Sequence, residues 1–164
     1  SEAGWRMSQA RTLYSTLAAT SITFARESGA SVTVTAKDLH QLPSAVQAAD
    51  APVRLLLPYS VTTKADGQFL TVDTILAATW VITDLLLWKP GTLGAGIADS
   101  AADLVRYQAA YLEAMRSLAS MGGLAGVELL SVQLQPGLYD WPIGSNTWWQ
   151  GVMASITVLE ELSS

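Results

Sequence analysis

No cysteine occurs in the chain, and histidine occurs once, at His40. The first absence excludes disulfides, thiolate metal sites and a cysteine nucleophile, and it leaves the redox compartment open. The second removes the usual ligands of a zinc site. It also leaves any general base without an oriented partner in the polar stretch Asp38-Leu39-His40-Gln41. His40 is therefore expected at a surface or an interface. Charge is scarce: 14% of the residues are Asp, Glu, Lys or Arg, where about 25% is usual for soluble domains. The nine basic residues are scattered from Arg6 to Arg116, and the net charge is −5. Nucleic-acid binding needs clustered cations to displace phosphate counterions, so no specific DNA or RNA partner is expected. Clustered acids are missing too, and Asp99 and Asp103 read as a helix cap and an ion-pair partner, so neither a metal nor a cofactor is expected. No apolar run reaches the roughly 18 residues of a membrane span. The nearest, Ile75 to Trp88, is broken by Thr79, Thr83 and Asp84. Ser1-Glu2-Ala3-Gly4 lacks the basic start and apolar core of a signal peptide, and no membrane partner is expected.

What is present is apolar. Half of the 164 residues are hydrophobic and mean hydropathy is +0.30. Residues 1–164 fit one domain with a sizeable core. The surplus of apolar residues points to further burial by partner subunits, because obligate interfaces resemble a core cut in half.

Along the chain, helical spacing of Met7, Ala10, Leu13 or Tyr14, and Leu17 predicts a helix from Trp5 to about Ala19. Ser28-Gly29-Ala30-Ser31 breaks it, and the β-branched run Val32-Thr33-Val34-Thr35 is extended. Lys37 to Pro52 is polar, with Pro43 suited to open a short helical turn through Ala49. Val53 to Pro58 begins a sheet. Lys64-Ala65-Asp66-Gly67 signals a hairpin turn, since Asp-Gly supplies positive φ. The return arm from Gln68 to about Trp88 is too long for one flat strand and is expected to bend near Asp73-Thr74. The loop Gly91-Thr92-Leu93-Gly94-Ala95-Gly96 lacks both the Gly-Lys-Ser/Thr ending of a phosphate loop and the third glycine of a dinucleotide fingerprint. Asp99 is expected to cap a helix reaching about Met121. Its stripe is Leu104, Tyr111, Met115 and Leu118, flanked by Val105 and Leu112, with i,i+3 pairs at Asp103–Arg106 and Glu113–Arg116. Gly122-Gly123 ends it. Val127 to Gln135 is a strand, and Pro136-Gly137 starts a loop through Gly144. Hairpins without βαβ alternation define the class as α+β: an antiparallel, hairpin-rich sheet with two main helices packed on one face.

The last strand, Thr147 to Glu160, is the most telling. Val152, Ala154, Ile156 and Val158 fall on one face and Trp149, Met153, Ser155 and Thr157 on the other. Trp149 and Met153 make the second face apolar, so it is expected to lie under another subunit or under a helix of this chain. Trp141 and Trp148 flank the loop Pro142-Ile143-Gly144 and are the best interface anchors among the six tryptophans. An aromatic platform for sugar or single strands is the alternative use of these rings. The hairpin tip from Tyr59 to Gln68, with Lys64 and Asp66, is a further candidate contact. Glu160-Glu161 is expected to be a solvated strand end, its carboxylates on opposite faces.

The segment Ala51-Pro52-Val53-Arg54-Leu55-Leu56-Leu57-Pro58, the helix Asp99 to Met121 with Tyr107 and Tyr111, and the closing run Gly151 to Glu160 together resemble the tail-terminator and tail-completion proteins of tailed bacteriophages. The resemblance covers roughly Trp5 to Glu160 and rests on element order, length and hydrophobic style. It implies a virion subunit, assembled in the host cytoplasm, that forms a homo-oligomeric ring, commonly a hexamer. Such a ring caps the tail tube and joins it to the neck, with tube and neck or connector proteins as partners and no catalytic residues. Two alternatives stay open: a head–tail connector of the same virion, and a small-ligand-binding α+β domain or enzyme with an aromatic-lined pocket.

Overall fold

The computed structural model describes residues 8–65, 75–118 and 121–162, and gives the backbone alone for 59–65, 75, 76 and 122. The chain is a mixed α+β fold with its helices packed against a sheet. Helix α1 (Ala10–Ala18) is followed by β1 (Ile22–Ala25), β2 (Ser31–Val34) and β3 (Ala36–Lys37). Then come β4 (Val53–Ala65), β5 (Ile75–Pro90), α2 (Ala101–Ser117), β6 (Val127–Asp140) and β7 (Trp148–Glu161). β1 and β2 form a separate antiparallel hairpin, and the main sheet runs β3-β4-β5-β7-β6. It is not wholly antiparallel as expected, because β3 pairs parallel with β4 through Ala36–Arg54 and Lys37–Leu55.

Cross-strand register separates two faces. Rows Leu56–Asp84–Ala154–Leu134, Ile82–Ile156–Val132 and Trp80–Val158–Leu129 turn toward the helices. Against them pack Leu13, Tyr14 and Leu17 of α1, Phe24 and Val34 of the hairpin, and Leu104, Tyr107, Tyr111 and Met115 of α2. Each such side chain contributes about 1.5–3 kcal/mol by leaving water. Both helices lie on this one face, as their apolar stripes require.

Several expectations need correction. α1 starts at Ala10 rather than Trp5, because Glu160 holds the preceding turn: its carboxylate accepts from Ser8 Oγ (3.0 Å) and the Gln9 amide (2.6 Å). Pro43 opens no helix; only single 3-10 turns form, at Leu39–Gln41 and Ala48–Asp50. Lys64 and Ala65 belong to β4, while Asp66, Gly67 and the expected bend at Asp73-Thr74 lie outside the described residues. Asp99 does not cap α2. Ser100 occupies the cap position and Asp99 pairs with Lys89. The Asp103–Arg106 pair gives way to tertiary partners: Asp103 meets Arg26 (3.3 Å) and the Glu27 amide (2.8 Å), and Arg106 meets Glu27 (2.8 Å). Glu113–Arg116 forms at 2.8 Å.

β6 continues through Pro136 to Asp140 instead of breaking there. The Trp141 amide bonds the Thr147 carbonyl (3.0 Å), which sets the inward-bonding parity at Tyr139 and Gly137 by alternation. Pro136 therefore turns its nitrogen to the free edge, where a missing N–H costs the ladder nothing.

Candidate assembly surface

The face away from the helices has two unlike halves. At the end near Trp149, a second core forms from Val46, Val53, Leu55, Leu85, Leu87 and Trp141 around that indole. Trp149 is 2% exposed. Its cover is this chain's own segment 42–53 and Trp141, so Trp149 is not available as the intersubunit anchor expected of it. Trp141 is likewise buried, with its indole N–H on the Pro43 carbonyl (3.2 Å). Trp148 is half-buried. Tyr59 and Lys64 are placed only as β4 backbone, and Asp66 lies outside the described residues. The structure thus gathers Trp141, Trp149 and Met153 around one internal cluster rather than on one surface.

The other half of this face has no cover among the described residues. Its rows are Leu85–Met153–Gln135, Thr83–Ser155–Gln133, Val81–Thr157–Ser131 and Thr79–Leu159–Glu128. Beyond Leu85 these side chains are half-buried or exposed. They are hydroxyls, amides and aliphatics, and among the described side chains charge enters only at the far end with Glu128 and Glu161. A hollow of about 190 Å³ opens between Gln133, Gln135, Met153 and Ser155. Period-two alternation in the last strand already placed Met153, Ser155 and Thr157 together. The β5 and β6 contributions depend on register and were not legible.

A second apolar surface lies on α2. Val105 is 64% and Leu112 49% exposed, and Ala101 and Ala109 are exposed beside them. These four recur at i, i+4, i+8 and i+11, a stripe along one flank of the helix. The charged side chains around it are spent within the chain, in the Asp103–Arg26, Arg106–Glu27 and Glu113–Arg116 pairs.

The titratable groups that sequence reasoning missed are sealed inside. Arg54 and Asp84 are both 0% exposed and paired at 2.6 Å through Nη2 and Oδ2. Arg54 Nε lies 3.1 Å from the same oxygen, and the Tyr111 hydroxyl donates to it at 2.7 Å. The remaining guanidinium N–H groups reach the Leu17 and Thr20 carbonyls at the end of α1. Burial alone would pull the Arg54 pKa down, but Asp84 and the neighbouring tyrosines outweigh it and the pKa ends above its ordinary value. Burial, and then the Asp84 charge, push Tyr107 and Tyr111 well above 10. A network closed to solvent clamps α1, β4, β5 and α2 together. A charge set inside an apolar run, as in Val53-Arg54-Leu55 and Thr83-Asp84-Leu85, is the signal that points to such a pair.

Glu160 is buried rather than solvated, at 1% exposure, and also accepts from the Trp80 indole (2.9 Å). His40 is exposed beside Arg11, 3.0 Å away. Among the described residues no group of three or more His, Asp or Glu converges on a point that would hold a metal ion. The 380 Å³ hollow bordered by Lys37, Gln41, Val46 and Asp50 has no aromatic side chain in its lining. No helix among the described residues is long and apolar enough to cross a membrane.

No family model, no curated protein and no solved structure matches the chain.

Proposed function

We propose that the protein is a structural subunit of a phage particle, a tail terminator whose copies form a ring between tail tube and neck. The observation that carries it is the half of the sheet left uncovered among the described residues: three strands present a surface with charge only at its far end, too regular for a loop-built ligand site and too poor in cations for nucleic acid. A net charge of −5 suits a conduit that does not retain passing DNA. The resemblance in element order supplies the particular role, with a ring, commonly hexameric, and with tube and neck proteins as neighbours. The deciding experiment is to locate the protein in intact particles by cryo-electron microscopy. A ring at the head-proximal end of the tube supports the role, and absence from the virion overturns it.

A further inference from the structure

The α2 stripe and the open half-face have lengths and charges that suit each other, and neither has a cover among the described residues. We infer that the flank of α2 bearing Ala101, Val105, Ala109 and Leu112 docks on the open sheet face of a second copy, head to tail. This rests on the ring reading and names the two surfaces that would build the ring.

Four observations carry it. From Ala101 to Leu112 the stripe runs about 17 Å at 1.5 Å per residue. The open rows from Met153 to Leu159 run about 20 Å at 3.4 Å per residue. The three strands β5, β7 and β6 give a bed about as wide as one helix. The hollow between Gln133, Gln135, Met153 and Ser155, about 190 Å³, offers room for one aliphatic knob of the stripe.

Charge selects a second copy rather than a charged partner. Copies of net charge −5 repel one another, and this contact brings together the two surfaces that add least to that repulsion. Its one charged margin is complementary. α2 starts at the Lys89 end of the sheet, where Asp99 pairs with Lys89, and heads toward the Val127–Glu160 end. Rotation about an axis along the strands keeps that direction. Arg116, next on the stripe after Leu112 and exposed beside its partner Glu113, then arrives next to Glu128 and Glu161 of the neighbour, where it can be shared between the acids.

Direction also favours closure. Leu104, Tyr107, Tyr111 and Met115 mark the side of α2 that meets its own sheet. At about 100° per residue, the stripe centres about 100° away from that side. The open face looks along the same direction as those buried residues, through the sheet. The two contact normals therefore diverge by about 100°, between the roughly 90° of a four-membered ring and the roughly 120° of a six-membered one. One helix on one half-face falls short of the roughly 800 Å² per partner of a standard interface, so each contact is weak until the ring closes.

The test uses Leu112→Glu and Thr157→Glu, two exposed or half-exposed positions, one on each surface. Sedimentation equilibrium at high protein concentration should show self-association of the unmodified chain and at least about tenfold weaker association of each variant. An equimolar mixture should regain one contact, because the intact sheet face of the first accepts the intact stripe of the second. Circular dichroism and urea midpoints keep folding separate from association. Normal association of either variant, or a mixture that stays monomeric, overturns the proposed contact while leaving a ring built elsewhere. If the unmodified chain is monomeric in solution, the variants are scored by incorporation into tails. Normal incorporation of both overturns the contact, and absence of the unmodified chain from tails overturns the ring itself.

Discussion

Replacing Asp84 by Asn would leave the Arg54 guanidinium in a site with no solvent access and no neutralising charge. Asp84 accepts from Arg54 Nη2 (2.6 Å), from Arg54 Nε (3.1 Å) and from the Tyr111 hydroxyl (2.7 Å). An amide oxygen can keep one or two of these contacts, but it removes the negative charge. Breaking one partner of a buried pair costs about 3–5 kcal/mol, a large share of the roughly 5–15 kcal/mol that holds a domain together. Removing all the polar groups at once should cost less. In Arg54→Met/Asp84→Leu/Tyr111→Phe no buried charge is left behind, and the buried Tyr107 hydroxyl, which meets no hydrogen-bond partner among the described residues of the unmodified protein, stays as it was. Only the Leu17 and Thr20 carbonyls lose a donor, about 1 kcal/mol each. Urea unfolding followed by tryptophan fluorescence measures both, with the m-value as the check that the two-state comparison holds. Asp84→Asn should fall about 3–5 kcal/mol below the unmodified protein, and the triple variant within about 2 kcal/mol of it. A loss under about 1 kcal/mol for Asp84→Asn, or a triple variant no more stable than the single one, would refute the account of Arg54–Asp84 as a dry, mutually dependent pair.

Trp149→Ala should destabilise the subunit by about 3–5 kcal/mol without altering its association. The indole is wholly internal and its N–H meets no partner among the described residues, so the loss is packing alone; an unchanged urea midpoint would refute this. Stability should fall as pH rises above about 10. Tyr107 and Tyr111 stay neutral in the fold to higher pH than in the unfolded chain, so their contribution is complete below 10 and is lost above it, by up to about 1.4 kcal/mol per pH unit for each. Tyr107→Phe should flatten that fall in urea titrations at alkaline pH, and an equally steep fall in the variant would remove Tyr107 from the explanation. Gly151→Ala should prevent normal folding, because a Cβ there would collide with the Leu86 carbonyl oxygen in the middle of the sheet. A soluble variant with an unaltered melting temperature would contradict that geometry.

Strong periodicity is what made parts of this fold legible. The alternation from Val152 to Val158 identifies β7 and its core face, and the stripe Leu104, Tyr111, Met115 identifies α2. The same alternation carried one step further puts Glu160 on the core face, but a carboxylate at a strand end looks solvated until Ser8, Gln9 and Trp80 converge on it. The cover over Trp149 had no such signal. Leu42, Val46 and Ala51 are spaced without period in a polar stretch, and they meet the sheet only because the chain crosses it. Asp103 and Arg106 show a local rule yielding to tertiary partners, since the hairpin brings Arg26 and Glu27 within reach. The open half-face was half legible: β7 announced its members, whereas Thr79, Val81 and Ser131 join them only through register.

The Glu160 clasp also says something about when the fold is completed. Ser8 and Glu160 are 152 positions apart, and α1 is too short, at nine residues, to persist alone in water. Its landing place on β4, where Tyr14 donates to the Leu57 carbonyl, and its clasp on β7 come later in the chain, so α1 is expected to dock late on the folding path. Until then the apolar rows through Ile82 and Ile156 stand open to other chains, and refolding yield should drop steeply with protein concentration. The position of one buried carboxylate near the chain's end thus bears on how long the core face of the sheet waits for its first helix.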